Sequence, residues 1–79
     1  MDAVELTKRE IEAVKALIRY GKIPRAAKHL DVSSATVNRH MDNVKVKADL
    51  NTSEQIAAWA VIQGYVTEED FPKNGRIRP

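Results

Sequence analysis

The side chains that could perform covalent or metal chemistry are few and scattered in this 79-residue chain. There is no Cys, and the two imidazoles, His29 and His40, lie on different predicted helices without a third ligand of metal type. Ser33 and Ser34 stand at a predicted helix start, where capping explains both hydroxyls. The three Gly residues are isolated, so the sequence has no glycine-rich phosphate loop. We therefore expect no enzyme, no metal and no cofactor.

The charged side chains are better placed for binding a polyanion than for catalysis. The net charge is only +2, but eight of the 13 Lys and Arg residues and two of the 11 Asp and Glu residues lie between Lys15 and Lys47. Such an asymmetry suggests a surface that binds a phosphate backbone, most often that of nucleic acid. The alternative is a basic face that is simply solvated.

The length and composition describe one small domain, with 43% hydrophobic and 30% charged residues. No apolar run approaches the roughly 18 residues of a membrane span, and the first residues lack the basic and then apolar pattern of a signal peptide. The absence of Cys excludes a disulfide-stapled scaffold. We expect a cytoplasmic protein that does not contact a membrane.

Two helices are predicted in the first part of the chain. Thr7-Lys8-Arg9-Glu10 is a capping box, which starts a helix from about Lys8 to Tyr20. Apolar residues recur along it at helical spacing, and Gly21 supplies the left-handed stop. Pro24 fits the first turn of a short second helix, since its missing amide hydrogen would be unsatisfied there anyway. The inner face of this second helix is formed by Ala26, Ala27 and Leu30.

Two further helices and a tail are predicted after a break of about three residues, Asp31-Val32-Ser33. The third helix spans about residues 35–47, capped by Ser33 or Ser34, and its apolar stripe consists of Val37, Met41, Val44 and Ala48. Thr52-Ser53-Glu54-Gln55 is a second capping box, which opens a fourth helix that ends at Gly64. Residues 67–79 are too poor in apolar side chains to pack alone. The expected fold is therefore all-α, with a four-helix domain over residues 1–66 and a flexible C-terminal tail over residues 67–79.

A short helix, a tight turn and a longer helix with a polar outer face form a helix-turn-helix arrangement. In such an arrangement the second helix can enter the major groove of DNA, which is about 12 Å wide and admits one helix. The bland alternative is an ordinary helical bundle whose third helix has a solvated face. Asn38 and Arg39 at the start of that helix, flanked by basic residues on both sides, favour the DNA interpretation.

A set of residues recurs in a characteristic order along the chain: Leu6-Thr7-Lys8-Arg9-Glu10, Gly21, Ala26-Ala27, Leu30, Val32-Ser33, Thr36-Val37, His40, Asn43-Val44 and Lys47. Their order and spacing resemble the LuxR-type helix-turn-helix domain of bacterial transcription regulators. The resemblance covers roughly residues 6–66. It implies a four-helix domain whose third helix reads the major groove and whose fourth helix supports dimerisation.

The resemblance also implies site residues. Base edges would be contacted by Asn38, Arg39 and Asp42. Phosphates would be contacted by Lys22, Arg25, Ser34, Thr36, Lys45 and Lys47. A homodimer would form through Ile56, Ala58, Trp59 and Ile62.

Three functions are compatible with these residues. The first is a sequence-specific transcription regulator that binds double-stranded DNA as a dimer. The second is a protein-binding antagonist that uses the same fold to pair with a larger LuxR-type regulator. The third is a promoter-binding fragment similar to sigma factor region four, which would need RNA polymerase. Trp59 bears on the choice, because its ring either fills this domain's own core or anchors a partner helix.

Overall fold

The computed structural model describes residues 5–71, and in this range the chain is all-helical, without strands. Four α-helices follow one another: α1 (Lys8–Tyr20), α2 (Ile23–Leu30), α3 (Ser34–Ala48) and α4 (Ser53–Gln63). A 3-10 turn at Glu68–Asp70 follows them. The predicted all-α, four-helix fold is confirmed, and α3 is one residue longer at each end than expected. None of these helices is long and apolar enough to cross a membrane.

The helix starts follow the capping signals in the sequence. The Glu10 amide donates to the Thr7 hydroxyl at 3.1 Å, and the Thr7 amide donates to the Glu10 carboxylate at 2.9 Å, which completes the capping box. At α4 only one of the two hydrogen bonds of the expected capping box is formed. The Gln55 amide donates to the Thr52 hydroxyl, but the Gln55 side chain accepts from the amide of Asn51 instead of from Thr52.

All four helices end on a residue in the left-handed conformation, which satisfies carbonyls of the last turn. Gly21 (φ 80°) and Gly64 (φ 86°) are the expected stops of α1 and α4. Asp31 (φ 61°) and Asp49 (φ 57°) take the same role after α2 and α3. Aspartate reaches this region more readily than most residues, because its short polar side chain can bond locally.

The core is built mainly from small side chains. Alanines on α1 and α2 meet where these two helices form the most extensive contact of the domain. The largest fully buried side chains are Val14 of α1, Val37 and Val44 of α3, and Ile56 of α4. The buried hydrophobic residues are Leu6, Ala13, Val14, Ala16, Ala26, Ala27, Val37, Met41, Val44, Ile56, Ala60 and Val66. Helices lined by alanine can approach each other closely.

The packed part of the domain extends beyond the expected boundary at residue 66. The Thr67 amide donates to the Asp70 carboxylate at 2.8 Å, and Asp70 forms an ion pair with Lys15 of α1 at 3.6 Å. Phe71 is half-buried against the core. Residues 67–71 therefore pack on α1, while residues 72–79 of the predicted tail lie outside the described residues.

Burial differs sharply between two isoleucines of α4, and this difference predicts their effects on stability. Ile56 is 1% exposed and Ile62 is 78% exposed. We expect Ile56→Ala to lower the free energy of unfolding by about 2–5 kcal/mol, because it leaves a cavity. Ile62→Ala, the same change on the same helix, should stay within about 0.5 kcal/mol of the wild type. Urea titration followed by circular dichroism measures both, and equal losses would contradict the assigned packing.

Candidate nucleic-acid interface

The start of α3 is fixed by Ser33, three residues after the end of α2. The Thr36 amide donates to the Ser33 hydroxyl at 3.1 Å, and the hydroxyls of these two residues are 3.0 Å apart. Ser33 is therefore the N-cap, which decides between the two serines considered from the sequence. Thr36 is half-buried and bonded to this cap, whereas Ser34 is exposed.

One stripe of α3 packs inward and the opposite stripe faces solvent. Val37, Met41 and Val44 are buried, as their spacing predicts. The three residues expected to contact bases, Asn38, Arg39 and Asp42, are all exposed. Residues three and four positions apart share a helix face, so Arg39, Asp42 and Val46 lie along one outer stripe. Val46 is 81% exposed, which makes this stripe partly apolar.

The ionic partners along this stripe distinguish Arg39 from the lysines of α3. Asp42 pairs with Lys45 at 4.0 Å, an exposed i,i+3 contact of small energetic value. Arg39 and Asp42 do not form the i,i+3 ion pair that would be expected if this face were merely solvated. Among residues 5–71, no carboxylate forms an ion pair with Arg39. Its guanidinium is thus available to a ligand.

Lys47 has an internal partner, which competes with its expected role as a phosphate contact. Its ammonium donates to the Glu10 carboxylate at 2.7 Å, and Glu10 is only 4% exposed. A buried carboxylate without a partner is costly, so this bond is part of the fold. The sequence could not show it, because 37 positions separate the two residues.

The same contacts decide the ionisation of Glu10. Burial by itself raises the pKa of this carboxyl. The hydrogen bonds from Lys47 and from the Thr7 amide, together with the positive charge of Lys47 and the Thr7 hydroxyl, outweigh burial and hold the pKa below its ordinary value of 4.5. Glu10 is therefore ionised at neutral pH.

The expected phosphate contacts on α2 are accessible, and they have neighbours that the sequence interpretation missed. Lys22 and Arg25 are exposed at the start of α2. Lys28 and His29 are exposed on the same helix, and His29 Nδ1 lies 3.2 Å from the hydroxyl of Tyr20 on α1. The positions 25, 28 and 29, spaced three and four apart, were the available signal that these side chains share a face.

The expected dimerisation residues of α4 do not share one surface. Ile56 belongs to the buried core, so its proposed place in a dimer interface is wrong. Trp59 is half-buried against the core, with its ring centroid 5.5 Å from that of Tyr65, which favours the core interpretation of this residue. Ala58 and Ile62 are exposed. Val61, which the sequence interpretation omitted, is exposed beside them.

Within residues 5–71, no three His, Asp or Glu side chains come together as metal ligands.

The chain matches no protein-family model, no curated protein and no solved structure. The LuxR-type resemblance therefore depends on the residues of the sequence alone and is a hypothesis.

The Glu10–Lys47 bond predicts a pH-dependent effect of removing Lys47. At neutral pH, Lys47→Ala leaves the buried carboxylate without its cationic partner, with only the Thr7 hydrogen bond remaining. We expect a loss of about 1–2 kcal/mol in the free energy of unfolding. The loss stays this small because the lysine side chain is 36% exposed, so that solvent screens the ion pair. The folded-state pKa of Glu10 is depressed, so this contribution is complete above pH 4.5 and is lost as the pH falls through the folded-state pKa.

Lys45→Ala is the control for that measurement. Lys45 lies two residues away on α3 and pairs only with the exposed Asp42, so we expect a change within about 0.5 kcal/mol. Urea unfolding at neutral and acidic pH measures both variants. An Lys47→Ala loss that is the same at both pH values would show that Glu10 is not its cause.

Proposed function

We propose that this chain is a sequence-specific DNA-binding transcription regulator of the LuxR helix-turn-helix type, with α3 in the major groove. The observation that carries the proposal is the exposed guanidinium of Arg39, which has no carboxylate partner among the described side chains and lies on the outer stripe of α3, within the α2–turn–α3 arrangement. A three-residue turn joins a short helix to a longer one, as in DNA-binding domains of this kind.

The polar side chains of α3 suit base edges. An arginine can donate two hydrogen bonds to guanine O6 and N7, and an asparagine can bond adenine N6 and N7. Arg39 and Asn38 would take these roles. Asp42 would repel phosphates unless it accepts from a cytosine amino group, and its weak pair with Lys45 leaves it able to do so.

Phosphate contacts would come from both helices of the pair. Lys22 and Arg25 are exposed at the start of α2, and Ser34, Thr36 and Lys45 lie along α3. These contacts would hold the domain in register and supply the salt-dependent part of the affinity, without carrying sequence information. Binding as a dimer to two half-sites about one helical turn apart would provide the selectivity of a palindrome.

A second candidate function is supported by α4. Its outer surface carries Ala58, Val61 and Ile62, and Ile62 is 78% exposed. Glu54 is the one charged residue of this helix. An antagonist that pairs with a larger LuxR-type regulator would use such a surface, whereas a DNA-binding homodimer would use it for a second copy of this chain.

Selection of bound duplexes from a random pool at two salt concentrations tests the proposed function. Enrichment of a palindrome that persists at the higher salt supports a regulator. Weak, salt-sensitive binding without enrichment overturns it, since phosphate contacts alone cannot produce a sequence preference.

Replacing Arg39 separates base contact from general attraction. We expect Arg39→Ala to reduce discrimination at one base pair of the selected site by about 1–3 kcal/mol, while preference elsewhere in the site persists. Arg9→Ala, which removes an exposed arginine paired with Glu12 on α1, should leave the preference unchanged. Competition binding against single-base variants of the site measures both. Indifference to Arg39→Ala at every position would contradict its role.

Replacing Ala58 tests the surface of α4. We expect the wild type to sediment as a dimer and Ala58→Glu to sediment as a monomer, because a carboxylate would be buried between two copies without a partner. Ala35→Glu makes the same change at another exposed alanine, on α3, and should leave the mass unchanged. A folded Ala58→Glu variant with the mass of the wild type would exclude this surface from self-association.

A further inference from the structure

Within the α2–turn–α3 arrangement, more of the free positive charge lies on α2 than on α3. On α3, Lys47 is bonded to Glu10 and Lys45 lies beside Asp42, which leaves Arg39 as the cation of this helix without a partner among the described side chains. On α2, neither Arg25 nor Lys28 forms an ion pair with a described carboxylate. No acidic residue lies within Ile23–Leu30.

The cationic side chains of α2 meet the end of α1 at one place. Tyr20, Arg25, Lys28 and His29 together line an open depression of about 420 Å³. The rings of Tyr20 and His29 lie 4.9 Å apart between centroids, so they form one wall of it. We call these four residues the α1–α2 basic corner. Every side chain lining it is a hydrogen-bond donor, and no carboxylate or aliphatic side chain is among them.

The Tyr20–His29 contact prepares the imidazole for an anion. Tyr20 can donate its hydroxyl proton to Nδ1, which is 3.2 Å away. A neutral imidazole that accepts at Nδ1 carries its own proton at Nε2, so the other nitrogen is a donor. With Arg25 and Lys28 beside it, the corner presents three donor groups to a ligand that has several acceptor oxygens.

We propose that the α1–α2 basic corner binds phosphate groups of the nucleic acid, and that it supplies more of the salt-dependent affinity than the two lysines of α3. This inference rests on the proposed function, since it assigns a second contact surface for the same ligand. Nucleic acid fits better than an acidic protein. The centre of a protein interface is depleted of charged residues, whereas interfaces with DNA are polar and strongly positive.

The test is the salt dependence of binding to a mixed-sequence duplex between about 50 and 200 mM salt. Each phosphate contact contributes about 0.9 to the slope of log K against log salt. We expect the double variant Arg25→Ala/Lys28→Ala to reduce the slope by about 1.8. Lys8→Ala/Arg9→Ala removes the same two types of charge from exposed positions at the start of α1 and should leave the slope unchanged. Circular dichroism melts confirm that both variants are folded.

The outcomes separate this inference from the proposed function. If Arg25→Ala/Lys28→Ala leaves the slope unchanged while Arg39→Ala still alters base preference, only the phosphate-binding role of the corner is overturned. If the double variant reduces the slope but the wild type has no base preference, the proposed regulator function is overturned and the role of the corner is supported. If Arg25→Ala/Lys28→Ala leaves the slope unchanged but abolishes the binding of a polyglutamate peptide by the wild type, the corner binds an acidic protein and the inference is overturned. If the wild type binds no duplex at low salt, both are overturned.

Discussion

The buried carboxylate of Glu10 is the constraint on which the arrangement of this domain depends. It accepts from the Thr7 amide at the start of α1 and from the Lys47 ammonium near the end of α3. Because a buried charge is stable only with such partners, the end of α3 is held against the start of α1. The stripe of α3 that carries Arg39 then lies away from the core, accessible to solvent.

Small side chains set the remaining geometry. The alanines of α1 and α2 are buried between these helices, the polar side chains of α2 are exposed, and His29 meets Tyr20 at the end of α1. By contrast, α4 buries one stripe, Ile56 and Ala60, and leaves Val61 and Ile62 exposed. A nearly uncharged helix with half of its surface in solvent is the feature that a partner would cover.

The basic residues fall into two groups, those that form ion pairs within the fold and those without a carboxylate partner. Lys15 pairs with Asp70 and Lys47 with Glu10, so these lysines serve the fold. Within α2 and α3, Arg39, Arg25 and Lys28 have no carboxylate partner among the described side chains. A ligand with dispersed negative charge would therefore meet two surfaces, one that carries a candidate base contact and one that carries charge alone.

The sequence by itself determined the helices, because their signals are local. Thr7, Ser33 and Thr52 cap amides three residues ahead, and Gly21 and Gly64 adopt the left-handed conformation directly after the last turn. Periodicity likewise identified the buried stripe of α3. On α4, Ile56, Trp59 and Ala60 recur with helical period and face the core, but the period left open whether Ile62 belongs with them. Only the tertiary structure decided that Ile56 is buried, that Lys47 binds Glu10 and that Tyr20 meets His29, since each depends on contacts between different helices.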